Sequence, residues 1–452
     1  MKETAEANSG GMQTTALAAG LAVVAVVTGS VVAKSPDQFV LAAAACVVVL
    51  LVAAKAPELF FVLFLTAGFY KNDPRFQLPG IDPTILFGAL TVLGIVWRAF
   101  QKEVVLYLPP KKAALPYLAI IWLAGLSLMY TTAPVYGADK LTRLATITAF
   151  SLFAPLYLFR GGKRMGVFFG GLVIVAFVML NDIISQGINV DTKVDISAFG
   201  SDYLALGYIQ GIGLILSLVY FAQAGKSLAF RSLFIAFTPI IVYGLLISGA
   251  RGPLLSSAAT LVIVVFLASR PHKESRRLSA WVWTAFIAAT AYLTINLHEF
   301  IRMSERLNIL GDGGGQSALE RVSMMQASLD ALSSLPVLLT GLGIGGFTTF
   351  YRGFDDIRGA YPHNIFLEAG TELGVAGFVA LTAFTFWGFA AARKAVKTGR
   401  GDAYFLSAAV IGLLVYTLLN ALKSGDINDN RMFFTSVGLA HALVVGDVND
   451  KL

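Results

Sequence analysis

The sequence predicts an all-α polytopic membrane protein, with about 12–14 transmembrane helices and one large outer loop that carries short helices of its own. Three observations predict it. First, 56% of the 452 residues are hydrophobic, only 13% are charged, and the mean hydropathy is +0.73. A soluble domain carries about 25% charged residues, and a water-facing surface built from this chain would expose large apolar patches. Second, apolar runs recur along the whole chain, many near the ~20 residues that cross a bilayer. Third, the basic residues concentrate in alternate loops. These features argue against a soluble enzyme, a disordered regulator or a nucleic-acid-binding domain, despite a net charge of +7.

The runs lie near 14–33, 38–54, 58–70, 83–97, 113–130, 139–159, 164–184, 203–222, 230–249, 253–269, 279–297, 364–390, 403–421 and 432–447. No series of ~10-residue alternating strands occurs, which excludes a β-barrel. The first run does not read as a signal peptide, because its leader MKETAEANSGGMQ has one Lys against two Glu and many runs follow. The single cysteine, Cys46, lies in an apolar run and has no intramolecular disulfide partner. The chain divides into helices over 1–297 (about 11), a large loop over 298–363, and about three helices over 364–447.

Arg98, Lys102, Lys111 and Lys112 mark one loop, and Arg160, Lys163 and Arg164 the next but one. Lys226 and Arg231, then Arg270, Lys273, Arg276 and Arg277, then Arg393, Lys394, Lys397 and Arg400 continue the alternation. This side reads as cytoplasmic, with both termini on it. The opposite side carries 131–138, 185–202, the tight turn 250–252, the loop 298–363 and 422–431. Within the loop, SALERVSMMQASLDALSS (317–334) predicts a helix, started by a Ser317–Glu320 capping box. Its apolar face, Val322, Met325, Leu329 and Leu332, would lie on the membrane surface or pack on the bundle.

Span cores are nearly free of charge. Arg143, Asp182, Arg251, Glu368, Glu372 and Lys423 map to outer span ends, and His441, alone inside a span, reads as a hydrogen-bonded packing residue. A polar site at the outer membrane boundary suits a substrate that is half lipid and half polar. Three features stand out there. Arg251 follows a very short turn, where it would otherwise serve as a snorkelling anchor. Arg321 lies on the loop helix, where it would otherwise be a solvated charge. Downstream, Gly341-Leu342-Gly343-Ile344-Gly345-Gly346-Phe347 lacks the βαβ unit of a dinucleotide fingerprint, so its glycines permit a tight turn or close backbone approach. It leads to Tyr361-Pro362-His363-Asn364, with Glu368 and Glu372 at i, i+4. An interfacial His, ordinarily titrating near neutrality, suits general-base work, whereas Glu368 near a helix start also suits the helix dipole.

At these residues the chain resembles the O-antigen ligase and O-antigen polymerase superfamily. The His-Asn-x-x-Leu-Glu-x-x-x-Glu-x-Gly pattern over 363–374 and the preceding glycine stretch carry the resemblance. Arg251 matches the family's Ser-Arg-Gly element, with Ala250 in place of Ser, and Arg321 sits where the family has an Arg, without the family's following Trp. The resemblance covers about 240–380. It implies a glycosyltransferase at the periplasmic face of the bacterial inner membrane, using an undecaprenyl-diphosphate-linked glycan donor. A ligase transfers the glycan to lipid A-core, and a polymerase to another lipid-linked repeat unit. The ligase is favoured, because a single outer loop ends directly at the His motif.

In this reading His363, Arg251 and Arg321 are the catalytic set. His363 takes the acceptor proton, the arginines clamp the diphosphate, and direct attack inverts the anomeric carbon. Asn364, Glu368, Glu372, Tyr361 and Arg143 are the substrate-binding candidates. No metal or cofactor is expected, and Asp355-Asp356 and Asp426–Asn430 read as solvated loops. The expected partners are the lipid-linked donor, the lipid A-core or glycan acceptor, and membrane lipids, with no nucleic acid. A lipid-linked-oligosaccharide flippase or transporter is the alternative of a different class. It predicts internal repeats and a charged central path, neither of which is evident. A scaffold would have no use for His363.

Overall fold

The computed structural model describes residues 47–76, 80–186, 198–223, 227–269, 273–295, 316–356 and 359–449. The expected span 14–33, most of 38–54 and Cys46 lie outside the described residues. Among the described residues every regular element is helical, apart from one isolated bridge between Ala198 and Ser201. The protein is an all-α polytopic membrane protein.

The first described helices, α1 (Val47–Lys55) and α2 (Pro57–Thr66), meet at a bend of 101°. Pro57 has no N–H for the helical ladder and pushes Ala56 out of helical geometry (φ −139°, ψ 56°). Arg98, expected among the exposed loop cations, secures the bend from α3 (Pro83–Phe100). It is buried, ion-paired with Glu58, and donates to the Lys55 carbonyl at 2.7 Å.

There follow α4 (Lys111–Ser127), α5 (Pro134–Leu158), α6 (Met165–Ser185), α7 (Tyr203–Phe221), α8 (Leu228–Ile247), α9 (Arg251–Leu267) and α10 (Lys273–Ile295). The large loop contains α11 (Gln316–Leu332), α12 (Leu335–Thr340) and α13 (Gly346–Arg352). The chain closes with α14 (Ile365–Thr398), α15 (Asp402–Ala421) and α16 (Arg431–Asn449).

Six described helices (α3, α5, α6, α7, α14 and α15) are long and apolar enough to cross a membrane, or seven spans with the bent α1–α2 pair. Shorter apolar helices occur at Arg231–Ile247, Arg251–Leu267 and Arg431–Val445. Among the described residues helix length separates the full-length spans from these shorter apolar helices, a distinction that hydropathy alone does not draw. The centre is packed by aromatic rings, with Phe384 of α14 against Phe434 of α16 (5.3 Å between centroids) and Tyr117 of α4 against both. Ile85, Trp122, Phe266 and Phe386 point outward from their helices, as lipid-facing residues do.

The loop helix α11 forms where its periodicity places it, and its packed face is rotated from the expected one. Met324, Ser328 and Ala331 are buried, whereas Val322 and Leu329 are 63% and 50% exposed. Small Ser328 lets α11 approach α14 closely, and it hydrogen-bonds Thr371 there. The larger apolar residues are left on the outer face, available to a membrane surface. The side chain of Ser317, half of the expected capping box, lies outside the described side chains.

Candidate active site

The site is organised by a break in α14. Gly374 has φ 66°, ψ −166°, a conformation confined almost entirely to glycine. The break releases carbonyls one turn upstream from their helical partners. The glycine stretch supplies substitutes: Leu342 N–H donates to Thr371 O (2.8 Å) and Gly343 N–H to Glu372 O (3.0 Å). Gly341 has φ 75°, and a Cβ there would lie 2.2 Å from the Glu372 oxygen. The sequence reading of close backbone approach is met here. The α4–α5 turn grips the same loop, with Ile344 N–H donating to Ser127 Oγ (2.9 Å) and Thr131 Oγ1 to Ile344 O (2.9 Å).

A buried charge cluster lies behind this joint. Pro134 starts α5 several residues before the expected 139, so Lys140 lies in the second turn of the helix rather than at its start, and it is buried, 0% exposed. Its ammonium binds Glu368 and, at 2.6 Å, Glu372 of α14. Glu368 also accepts from Ile427 N–H (2.9 Å). Tyr136, one turn before Lys140, donates its hydroxyl to Asp426 (2.7 Å), which also accepts from Asp429 N–H (2.9 Å). The segment expected to be a solvated acidic loop is thus buried at Asp426, Ile427 and Asn428. Asp355, expected to be solvated as well, accepts from Val135 and Tyr136 N–H (2.8 and 3.2 Å) and caps α5 from the loop.

His363 sits immediately before α14 with φ 57°, left-handed and uncommon for a residue with a Cβ. The Tyr361 ring packs against it at 4.5 Å. Its Nδ1 is buried and, among the described residues, has no hydrogen-bond partner. Burial, reinforced by the Arg321 charge and opposed by Asp426, lowers the imidazole pKa to about 4. This departs from the near-neutral value expected from sequence, and His363 is therefore an unprotonated imidazole at neutral pH.

Cations collect at the same end. Gly249 (φ 62°) turns the chain into α9, which begins at Arg251 with no side-chain cap on its amides. Lys423, in the α15–α16 connection, donates to Gly252 O and to Ser256 Oγ on the first turns of α9. Arg321 on α11 is close enough that its charge depresses both His363 and Lys423. The Lys423 ammonium is lowered to about 8 by burial and by Arg321. Arg251, Arg321, Lys423 and His363 thus come from four separate segments to one end of the bundle. Such a set stabilises anionic oxygens and accepts a proton beside them.

The other expected residues take different places. Asn364 caps α14, accepting from Phe366 and Leu367 N–H (3.0 and 3.2 Å). Glu368 and Glu372 face Lys140 in the interior rather than an open site. Tyr361 lies against His363. Arg143 lies within α5, paired with Asp139 at 3.0 Å. His441 is buried in α16 with no hydrogen bond at Nε2 among the described residues. Sequence reasoning missed Lys140 outright and gave Lys423 no role. One signal pointed to Lys140: Glu368 and Glu372 have no Lys or Arg within four positions on their own helix, so two glutamates in an apolar run required a cation from elsewhere. Among the described residues no group of three or more His, Cys, Asp or Glu is arranged to hold a metal.

An unprotonated imidazole among cations at one end of a polytopic helical bundle has the chemistry to meet an anionic group. Residues 234–382 match the family model described as O-Antigen ligase. This region spans Arg251, Arg321, the glycine turn and His363, and the match supports membership of the O-antigen ligase superfamily. No curated protein matches the chain. Lys140, Lys423 and Asp426 lie outside the matched region.

Proposed function

We propose that this protein is a glycosyltransferase that moves a glycan from undecaprenyl diphosphate to lipid A-core at the periplasmic face of the bacterial inner membrane. The observation that carries this reading is the placement of His363, unprotonated and with a buried Nδ1 lacking a partner, beside the Arg321 charge. His363 removes the proton from the acceptor hydroxyl as that oxygen attacks the anomeric carbon. The bond from that carbon to the diphosphate oxygen breaks in the same displacement, so the configuration inverts. Charge builds on the departing diphosphate, and Arg251 and Arg321 stabilise it through charge-assisted hydrogen bonds. The imidazole is depressed by burial and by the Arg321 charge, and an anionic donor that offsets that charge makes it a stronger base, which couples donor binding to base strength. Tyr361, packed at a tilt against His363, limits the rotation of its ring.

The orientation follows from the basic residues. Arg393, Lys394, Lys397 and Arg400 mark the end of α14 opposite His363. The positive-inside rule puts that end and both termini in the cytoplasm and the site in the periplasm. Deletion of the gene followed by gel analysis of surface glycan tests the reading. Loss of all lipid A-capped polymer while lipid-linked polymer accumulates identifies the ligase. Core bearing a single repeat unit identifies the polymerase of the same superfamily. Unchanged surface glycan contradicts both.

A further inference from the structure

Lys423 is outside the region that matches the family, yet it is tied to the start of α9 beside Arg251. Two of its three ammonium N–H groups are used on Gly252 O and Ser256 Oγ. Neither acceptor carries a charge, and among the described residues Lys423 makes no salt bridge. The charged groups around it include Arg321 on α11, whose charge depresses the ammonium, Arg251, adjacent in sequence to Gly252, and Asp426, three residues on in its own connection. Of these Asp426 is occupied by the Tyr136 hydroxyl and the Asp429 amide. A half-buried ammonium held on neutral acceptors next to an arginine that repels it is costly unless an anion visits. The tie also fixes its position, because Gly252 O and Ser256 Oγ lie on one face of the first turns of α9.

We propose that Lys423 is a third cation of the donor site, its remaining N–H directed to the lipid-linked diphosphate that Arg251 and Arg321 hold. This rests on the reading of the donor as a lipid diphosphate. Lys423 adds charge on the side of α9 that the α15–α16 connection covers, and it favours a diphosphate, with two sets of anionic oxygens, over a monophosphate.

The test is equilibrium binding of undecaprenyl diphosphate to the full-length protein in zwitterionic nanodiscs, with glycan transfer measured in parallel. K423M is expected to weaken binding about 10-fold or more, as for loss of a charge-assisted hydrogen bond, and K423R to bind within about 3-fold of wild type. Wild-type affinity should fall as pH rises from 7 to 9, because the ammonium that binds the anion is lost as pH passes about 8. Affinity of K423R should stay flat, since a guanidinium keeps its charge over that range. The wild-type pH profile needs no variant, so it stands even if K423M folds poorly. Undecaprenyl monophosphate should bind more weakly than the diphosphate, and inorganic pyrophosphate and phosphatidylglycerol should compete poorly. Wild-type protein that transfers glycan while K423M binds and turns over normally overturns the role of Lys423 and leaves the donor reading intact. Wild-type protein that neither binds the diphosphate lipid nor transfers glycan overturns both. Equal competition by phosphatidylglycerol overturns the specific site in favour of a general anionic-lipid contact.

Discussion

Two clusters of charge meet at the N-terminal end of α14, and they differ in how they are satisfied. Lys140, Glu368 and Glu372 are buried on one another, helped by the Ile427 amide. Arg321 and Lys423 make no salt bridge among the described residues, and the imidazole beside them is held unprotonated. The first cluster answers its own charges and so acts as framework, joining α5, α14 and the 426–430 segment. The second leaves positive charge unanswered at an open end of the bundle, which suits a visiting anion. Satisfaction, more than the presence of charge, separates the framework from the site.

The comparison can be broken from either side. The largest expected effect is on the framework: K140M leaves two carboxylates in the interior without their cation, which costs about 3–5 kcal/mol. It should lower the melting midpoint sharply, and K140M/E368Q/E372Q should recover much of the loss. If K140M melts like wild type, the cluster is not framework. Next, R321Q should reduce glycan transfer by roughly 10²–10³-fold, as for loss of a transition-state donor, with little change in melting. A third effect is smaller. G341A places a methyl against the Glu372 carbonyl and forces a left-handed residue, so a loss of about 1–3 kcal/mol is expected in thermal unfolding.

The smallest effect is a shift in pH profile. Protonation of His363 removes the base, so kcat/KM should fall on the acid side through a pKa of about 4, below the ordinary imidazole value of ~6.5. R321Q should move that limb upward, because the Arg321 charge is part of what depresses it. Asp429, raised to about 6 chiefly by Asp426, would give a limb that R321Q leaves in place.

Much of this was legible in the sequence where local rules govern. Apolar runs gave the helices, and the glycine stretch gave the close approach, because only glycine tolerates that geometry. The helix over Gln316–Leu332 followed from its periodicity, but its buried face did not. Ser328 faces α14, where it bonds Thr371, whereas the expected face was chosen for apolar bulk. Lys140 was illegible because its meaning lies in a partner 228 positions away on α14. Arg98 was misplaced for the same reason: it follows an apolar run among the cations of a basic loop, and Glu58, 40 positions away, draws it inside. Asn364 reads equally well as a substrate ligand or a helix cap until the amides of Phe366 and Leu367 are seen to point at it.

The central claim is that the unanswered cluster around His363 carries the chemistry, and one measurement addresses it most directly. Purified wild-type and H363A proteins are compared for transfer of glycan from undecaprenyl diphosphate to lipid A-core, with melting midpoints recorded on the same samples. The account predicts a loss of at least ~100-fold in transfer, the lower range for a general base, at an unchanged midpoint. Transfer by H363A at the wild-type rate would contradict it.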